Sequence, residues 1–113
     1  MALARTLSAQ PTDEAARRSA ISRAYYAAFG LASGRMRADG KHVPNTGEAH
    51  KVLWEYFESA GDKFRRKIGQ DGKRLRWRRG QADYDAAAKL AISDVTDSLR
   101  TAEAIIRFIG QLR

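Results

Sequence analysis

The stretch that decides the fold is Arg18-Ser19-Ala20-Ile21-Ser22-Arg23-Ala24-Tyr25-Tyr26-Ala27-Ala28-Phe29. Its apolar side chains recur at the spacing of one helix face, and they form the stripe Ala20, Ile21, Ala24, Tyr25, Ala28 and Ala32. Upstream, Thr12 can cap a helix that begins near residues 11–14, where two acids suit the positive end of the helix dipole. We expect this first helix to fade between Gly34 and Gly40. Because the stripe is rich in alanine, a neighbouring backbone can approach it closely.

A second helix is predicted after a loop over Lys41–Thr46. Asn45 and Glu48 have the spacing of a capping box, with Asn45 as the cap and Glu48 reaching back. The helix should then run to about Ala60. Its predicted buried face consists of Ala49, Leu53, Tyr56, Phe57 and Ala60.

The third helical stretch is predicted from Lys63 to about Arg79. Its narrow apolar face is formed by Phe64, Ile68 and Leu75. Gly69 and Gly72 weaken its middle, so we expect a bend or break there. The stretch holds nine of the 21 lysine and arginine residues, which makes it the most charge-biased part of the chain.

The segment from Arg79 to Ile92 is ambiguous between helix and loop, and Gly80 interrupts it. The last helix is expected to start near Ser93, with Asp94 favouring its N-terminus. A clear amphipathic pattern follows, formed by Val95, Leu99, Ala102, Ile106 and Ile109 and widened by Ile105, Phe108 and Leu112. This surface predicts a homodimer interface, unless a three- to four-helix bundle buries all of it. No convincing strand is present, so the fold class is all-α.

Composition limits the kinds of protein this chain can be. The 113 residues suffice for one domain, residues 1–113, and not for two. The formal charge of +8 favours a polyanionic partner, RNA or a nucleotide first, over a general surplus of basic residues. The absence of cysteine excludes disulfides and thiolate chemistry. No apolar run is long enough for a membrane span, and Met1–Gln10 does not look like a signal peptide, so we expect a cytoplasmic protein without membrane contact.

Familiar phosphate-binding, zinc-protease and serine-hydrolase motifs are absent. The two histidines, His42 and His50, are too few for a histidine-rich metal site. We therefore predict no metal and no cofactor.

Three groups of residues can still carry chemistry. Arg23 and Tyr26 lie off the apolar stripe and can line a polar cleft, or form a solvated helix face, whereas Tyr25 belongs to the core with its hydroxyl bonded to a partner. Residues 78–84, Arg78-Arg79-Gly80-Gln81-Ala82-Asp83-Tyr84, place Arg79 four residues before Asp83. If this segment is helical, the two form an ion pair; if it turns at Gly80, Arg79 can point at a phosphate. His50 is either a half-buried packing residue or a catalytic base.

The basic third stretch is the best candidate for a nucleic-acid surface, because its cations can neutralise phosphates and its tryptophan can stack on a base. Trp77 lies nearly opposite the apolar face of this helix, so it is exposed unless a kink buries it. The predicted nucleic-acid-binding residues are Lys63, Arg65, Arg66, Lys67, Lys73, Arg74, Arg76 and Trp77.

Residues 18–29, then His50 on a following helix, then Arg79-Gly80-Gln81-Ala82-Asp83-Tyr84-Asp85, resemble a group of small prokaryotic HEPN-domain proteins. A "SRAYYAAF" segment and a later "RxxADYD" segment mark that group, and their order and spacing match over about 90 residues. The resemblance implies an antiparallel four- to five-helix bundle that dimerises, with polar residues of both subunits meeting in a cleft. It also implies either a metal-independent endoribonuclease of toxin–antitoxin, CRISPR and phage-defence systems or a non-catalytic partner of a small nucleotidyltransferase.

The RNase members carry an arginine followed, after four to six residues, by a histidine acting as acid and base while the arginine steadies the phosphate. This sequence departs from that pattern, because Tyr84 stands five residues after Arg79 and no histidine follows. If the protein is an enzyme, its replacement catalytic set is Arg79, Asp83, Tyr84 and His50, with Arg23, Tyr26 and Arg78 lining the cleft.

Three functions follow from the sequence. The leading one is a HEPN homodimer that binds or acts on RNA or a nucleotide in a toxin–antitoxin, CRISPR or phage-defence system. The second is a non-catalytic adaptor that docks a nucleotidyltransferase, an antitoxin or another effector. The third is a small basic helical subunit of a ribonucleoprotein complex, in which charge alone provides the binding.

Overall fold

The computed structural model describes residues 13–112, and these form four helices. They are α1 (Glu14–Ala38), α2 (Ala49–Glu58), α3 (Lys63–Tyr84) and α4 (Ile92–Gln111). No strand occurs among the described residues, which confirms the all-α prediction. α1 packs against α3 and α4, α2 packs mainly against α3, and α3 also contacts α4. α1 and α3 each contact all three of the other helices. None of the four helices has both the length and the apolar character needed to cross a bilayer.

The first helix follows the predicted stripe closely. The six stripe residues, Ala20, Ile21, Ala24, Tyr25, Ala28 and Ala32, have no exposed surface. Asp13 caps the helix by accepting hydrogen bonds from the amides of residues 15 and 16. Thr12, the predicted cap, lies outside the described residues. The helix ends at Ala38, and Gly40 follows with a positive φ of 83°.

The predicted capping box of α2 is wrong. Glu48 is the N-cap residue and makes no side-chain cap bond. Its amide instead lies 3.4 Å from the Thr46 hydroxyl, within a turn that precedes the helix. α2 also ends at Glu58, so Ala60 falls in the following loop and is half-buried. The fully buried Trp54 joins Ala49, Leu53 and Phe57 on the inner face of α2, whereas Tyr56 is only half-buried.

The predicted break at Gly69 and Gly72 does not occur, because α3 is one helix from Lys63 to Tyr84. Both glycines are buried against α2. A Cβ on Gly69 would lie 2.3 Å from the Glu58 amide nitrogen, and one on Gly72 would lie 2.1 Å from the Trp54 ring. The two glycines therefore form a notch that admits α2. The lost helix propensity is offset by this close packing.

Gly80 does not interrupt α3 either, and the helix continues five residues beyond the predicted end at Arg79. α4 begins at Ile92, one residue before the predicted start, and Asp94 accepts a hydrogen bond from the Ala91 amide. Of the apolar residues of α4, Val95, Leu99, Ala102 and Ile105 are buried, whereas Ile106, Phe108, Ile109 and Leu112 are partly covered. On α3, Phe64 remains 44% exposed instead of joining Ile68 and Leu75 in the core.

Asp39 joins the end of α1 to α2 and α3. Its carboxylate accepts hydrogen bonds from Arg65 at 2.8 Å, from the Tyr56 hydroxyl at 2.6 Å and from Arg35 at 3.0 Å. The hydrogen bond from Arg65, followed by those from Tyr56 and Arg35, lowers the pKa of Asp39 to about 2. The charged form is therefore the one that the fold stabilises.

We predict that Gly72→Ala lowers the free energy of unfolding by about 1–3 kcal/mol, because the new methyl group overlaps the Trp54 ring. Gly30→Ala on α1 is the matched control, since a Cβ there meets nothing within 4 Å. That variant should gain about 0.5–1 kcal/mol from the better helix former. Urea unfolding followed by circular dichroism measures both, and equal stability of the two variants would contradict the notch.

We predict that Asp39→Asn lowers the free energy of unfolding at pH 7 by about 1–2 kcal/mol, after allowance for solvent screening. Because the folded-state pKa lies below the ordinary value of 3.8, the stabilisation is present above that value and is lost as the pH falls towards 2. The difference between wild type and variant should therefore close near pH 2. In the control Asp97→Asn, which alters an exposed residue of α4, no such pH-dependent gap should appear in urea unfolding.

Candidate functional site

Arg79 of α3 lies at the centre of an aromatic cluster. Its side chain is buried, with 7% exposure. The guanidinium carbon is 5.2 Å from the ring centre of Tyr25, 5.4 Å from that of Tyr26 and 5.4 Å from that of Tyr84. A cation near the face of an aromatic ring is stabilised by the ring quadrupole. The cluster thus keeps a positive charge in a largely desolvated place.

The polar contacts of Arg79 leave part of its hydrogen-bonding capacity unused. Nη1 donates to the Tyr84 hydroxyl at 3.1 Å and lies 3.6 Å from the Asp83 carboxylate. Nε is buried and has no hydrogen-bond partner. Since a guanidinium has five N–H donors, the two neighbours do not satisfy the group. An incompletely satisfied buried cation is costly for the fold and is typical of a functional site.

α1 supplies the other wall of this cleft. The Ser22 hydroxyl donates to Asp83 at 3.2 Å. Arg23 lines a cavity of about 440 Å³ together with Ser22 and Asp83. One turn further, Tyr26 is 46% exposed, and Tyr84 across the cleft is 78% exposed. The structure thus brings the predicted residues Arg23 and Tyr26 to the same side as Asp83 and Tyr84. We call this region the Arg79 cleft.

His50 reaches the cleft through Tyr25. The Nδ1 atom of His50 is 2.6 Å from the Tyr25 hydroxyl, which also accepts a hydrogen bond from the Trp54 indole at 3.0 Å. Because the indole can only donate, the tyrosine proton is free to be donated to Nδ1, and the histidine proton then lies on Nε2. Burial, followed by the charges of Arg79 and Arg76, lowers the pKa of His50. The surroundings of His50 therefore favour its neutral imidazole form.

Arg78, a predicted cleft residue, does not join this cluster. Its guanidinium donates to the Gln81 side chain at 2.9 Å and lies 3.4 Å from Asp94 of α4. It also lies 5.2 Å from the centre of the Trp77 ring.

The basic residues of α3 divide into two groups. Towards its start, Arg65 pairs with Asp39 at 2.8 Å and Lys67 with Asp71 at 3.0 Å. In the same half, Arg66 donates to the Gly61 carbonyl, and Lys63 lies near the Phe64 ring.

From the middle of the helix onwards, Lys73, Arg76 and the 60% exposed Trp77 line a groove of about 610 Å³ with Lys51 of α2. Arg74 lies on another side of the helix and donates to Thr101 of α4 at 2.7 Å. The predicted surface is thus not one continuous basic stripe.

Arg18 fixes the segment that carries Asp83 and Tyr84, a role that the sequence analysis missed. Its Nη1 atom donates to three carbonyl oxygens near the end of α3, and its Nη2 atom donates to a fourth in the next loop. The acceptors belong to Gln81, Ala82, Asp85 and Ala88. Cations near a helix C-terminus favour the helix dipole and satisfy its last carbonyls. No local pattern signals this contact, because donor and acceptors are more than 60 residues apart in the chain.

Comparison with known families decides the identity of the fold. Residues 10–112 match the family described as HEPN domain. The chain belongs to the HEPN-domain family. Searches of curated proteins and of solved structures give no significant match. The two segments that carried the resemblance form the two walls of the Arg79 cleft in this HEPN protein, since Tyr25 and Tyr26 come from the first and Arg79, Asp83 and Tyr84 from the second. Within residues 13–112, no group of three acidic, histidine or cysteine side chains is placed to hold a metal ion.

The lowered pKa of His50 predicts a pH dependence of stability. Because the folded-state pKa lies below the ordinary value of 6.5, the stabilisation by neutral His50 is complete above pH 6.5. It is lost as the pH falls towards the folded-state pKa. The free energy of unfolding should therefore fall between pH 7.5 and pH 5.5, as measured by urea unfolding. His50→Gln should remove most of this change, whereas His42→Gln, at an exposed loop position, should retain it. If the free energy of unfolding of His50→Gln depends on pH as that of the wild type does, His50 is not its source.

Proposed function

We propose that this HEPN protein forms a homodimer that binds RNA or a nucleotide at the Arg79 cleft, within a prokaryotic toxin–antitoxin, CRISPR or phage-defence system. The observation that carries the proposal is the guanidinium of Arg79, bounded by Tyr25, Tyr26 and Tyr84 with a buried, unpartnered Nε. An arginine held in this way is suited to a phosphate, which accepts charge-assisted hydrogen bonds from the guanidinium.

The overall charge supports the same ligand. The chain carries a formal charge of +8, and phosphate neutralisation with release of counterions supplies most of the non-specific affinity of such proteins. Arg23 on the opposite wall of the cleft adds an exposed cation beside Ser22 and Asp83.

Tyr26 and Tyr84 support a dimer through this face. Both rings are substantially exposed, yet they lie directly over a buried cation. A second copy would cover these rings and bring two arginines to one cleft, which is the arrangement that the family resemblance implies. Tyrosines are also enriched at protein interfaces, because they bury a large apolar area while keeping a polar hydroxyl.

Cleavage of RNA, if present, would be metal-independent and would use Arg79, Asp83 and Tyr84 with His50. Arg79 would stabilise the charge on the reacting phosphate. However, Tyr84 occupies the place of the family's histidine, and Nδ1 of His50 is engaged by Tyr25. We therefore propose binding as the principal activity.

The same observation favours a second candidate, the non-catalytic adaptor that docks a nucleotidyltransferase, an antitoxin or another effector. An adaptor needs the aromatic and cationic surface but no catalytic histidine. Co-purification with the product of an adjacent nucleotidyltransferase gene, at a defined stoichiometry and without bound RNA, would favour this candidate.

We predict that Arg79→Ala weakens RNA binding by about 10- to 100-fold, since a hydrogen bond to a charged group contributes about 1.5–3 kcal/mol. Fluorescence anisotropy with labelled RNA at several salt concentrations measures the affinity, and gel analysis of the same mixtures shows any cleavage. Because Arg79 is buried, Tyr84→Phe provides a second variant that removes one exposed hydroxyl and should weaken binding more modestly without unfolding the protein. Arg100→Gln on α4 is the matched loss of one exposed charge.

The outcomes separate the candidate functions. Weakened binding in Arg79→Ala and Tyr84→Phe, with little change in Arg100→Gln, supports the cleft. If Arg79→Ala and Arg100→Gln weaken RNA binding equally, and Tyr84→Phe and Asp83→Asn leave it unchanged, the small basic subunit of a ribonucleoprotein complex is favoured. If the wild type neither binds nor cleaves RNA at moderate salt, the RNA proposal is overturned.

A further inference from the structure

A second recess lies beside the Arg79 cleft, between the start of α2 and the second half of α3. It is a groove of about 610 Å³, within the range of roughly 300–1,000 Å³ that small-molecule sites occupy. The residues that line it are Lys51, Lys73, Arg76, Trp77, Gly80, Gln81 and Asp85. We call it the Trp77 groove.

Trp77 supplies a flat apolar surface in this groove. The ring is 60% exposed, which is unusual for a tryptophan in a small domain. The guanidinium of Arg78 lies 5.2 Å from the ring centre and occupies one face. The exposed part of the ring can contact a planar partner.

The groove combines this surface with positive charge. Lys73 is partly neutralised by Glu58 at 2.9 Å. Among the ion pairs of residues 13–112, none involves Lys51 or Arg76. The Gln81 Oε1 atom accepts from Arg78, which leaves the Nε2 amide of Gln81 as a hydrogen-bond donor. Asp85 is the single carboxylate among the lining residues, and its Oδ1 already accepts from the amides of residues 87 and 88.

Arg76 connects the groove to the Arg79 cleft. It lines the groove, and its charge also acts on Tyr25 and His50, which belong to the wall of the cleft. Arg76 therefore adds positive charge to the groove and acts on the neighbouring cleft as well.

We propose that the Trp77 groove is a subsite for one unpaired nucleotide, whose base stacks on Trp77 and whose phosphate is held by Lys51 and Arg76. This inference rests on the proposed RNA function and specifies its substrate class as single-stranded. A base within a duplex is stacked between its neighbours and presents no free face, whereas an unpaired base stacks readily on an aromatic side chain. An acidic peptide would satisfy the cations but would leave the indole face without a planar partner.

The two tryptophans make the groove observable. Trp54 has no exposed surface, so a ligand in solution cannot contact it, whereas Trp77 can be quenched by a stacked base. The probes are AMP, a single-stranded oligoadenylate of about eight nucleotides, and the same oligonucleotide annealed to its complement. Tryptophan emission reports the groove, and anisotropy of the labelled oligonucleotide reports total RNA binding.

We expect the single strand to quench the emission of the wild type and the duplex to leave it unchanged. Trp77→Ala should weaken single-strand binding by about 5- to 100-fold, because each stacked base contributes substantially to the affinity. Gly80→Leu should weaken it similarly by filling the groove, since the position is open and leucine favours a helix. Phe64→Ala, which removes an exposed aromatic at the other end of α3, should bind as the wild type does.

Each outcome decides between explanations. Quenching by the single strand supports the subsite within an RNA strand, and quenching by AMP alone supports the same site for a free nucleotide. RNA binding without quenching, unchanged in Trp77→Ala and Gly80→Leu, overturns the groove and leaves the Arg79 cleft intact. Absence of any RNA binding together with absence of quenching overturns both proposals.

Discussion

The structure depends on the packing of Trp54, a residue of α2, between α1 and α3. Its ring lies where a side chain on Gly72 would lie, so the two glycines of α3 set how closely α2 approaches. Its indole N–H also donates to the Tyr25 hydroxyl. One buried side chain therefore fixes both a helix-to-helix distance and the orientation of a tyrosine in the cleft. A change in this packing would be transmitted directly to the walls around Arg79, because packed interiors have little room for adjustment.

Arg79 contrasts with Trp54. It is a buried charge, and its burial contributes little to the stability of the fold. Its neighbours are three aromatic rings and one carboxylate at 3.6 Å, and its Nε has no partner. A buried cation compensated in this way is usually no better for stability than a well-packed apolar residue. Departures from full local satisfaction are found mainly at functional sites. The Arg18 contacts to the carbonyls at the end of α3 show that the fold holds this segment firmly in spite of the cost of burying Arg79.

The sequence predicted the elements well, because the apolar periodicity of α1 and α4 is strong and local. It failed at Gly69 and Gly72, since helix propensity treats a glycine as a weakness, while the tertiary structure uses the missing side chain as space for Trp54. The link between His50 and Tyr25 could be expected only in part. The apolar stripe predicts that Tyr25 lies in the core with its hydroxyl bonded, but the identity of the partner depends on how α2 crosses α1. The grouping of Arg79 with Tyr26 followed from the family resemblance rather than from any spacing in the chain.

The distribution of charge along α3 explains why one basic helix can serve both structure and binding. In its first half, the partners of Arg65 and Lys67 are the carboxylates of Asp39 and Asp71, and these cations therefore stabilise the fold. In its second half, Arg78 and Arg79 also have carboxylates nearby, those of Asp94 at 3.4 Å and Asp83 at 3.6 Å, but these contacts are longer, and three aromatic rings surround Arg79. Rings lower the energy of a cation without cancelling its charge. Positive potential is consequently retained at the cleft and the groove, where an anionic ligand can use it, although the whole helix is equally rich in basic residues.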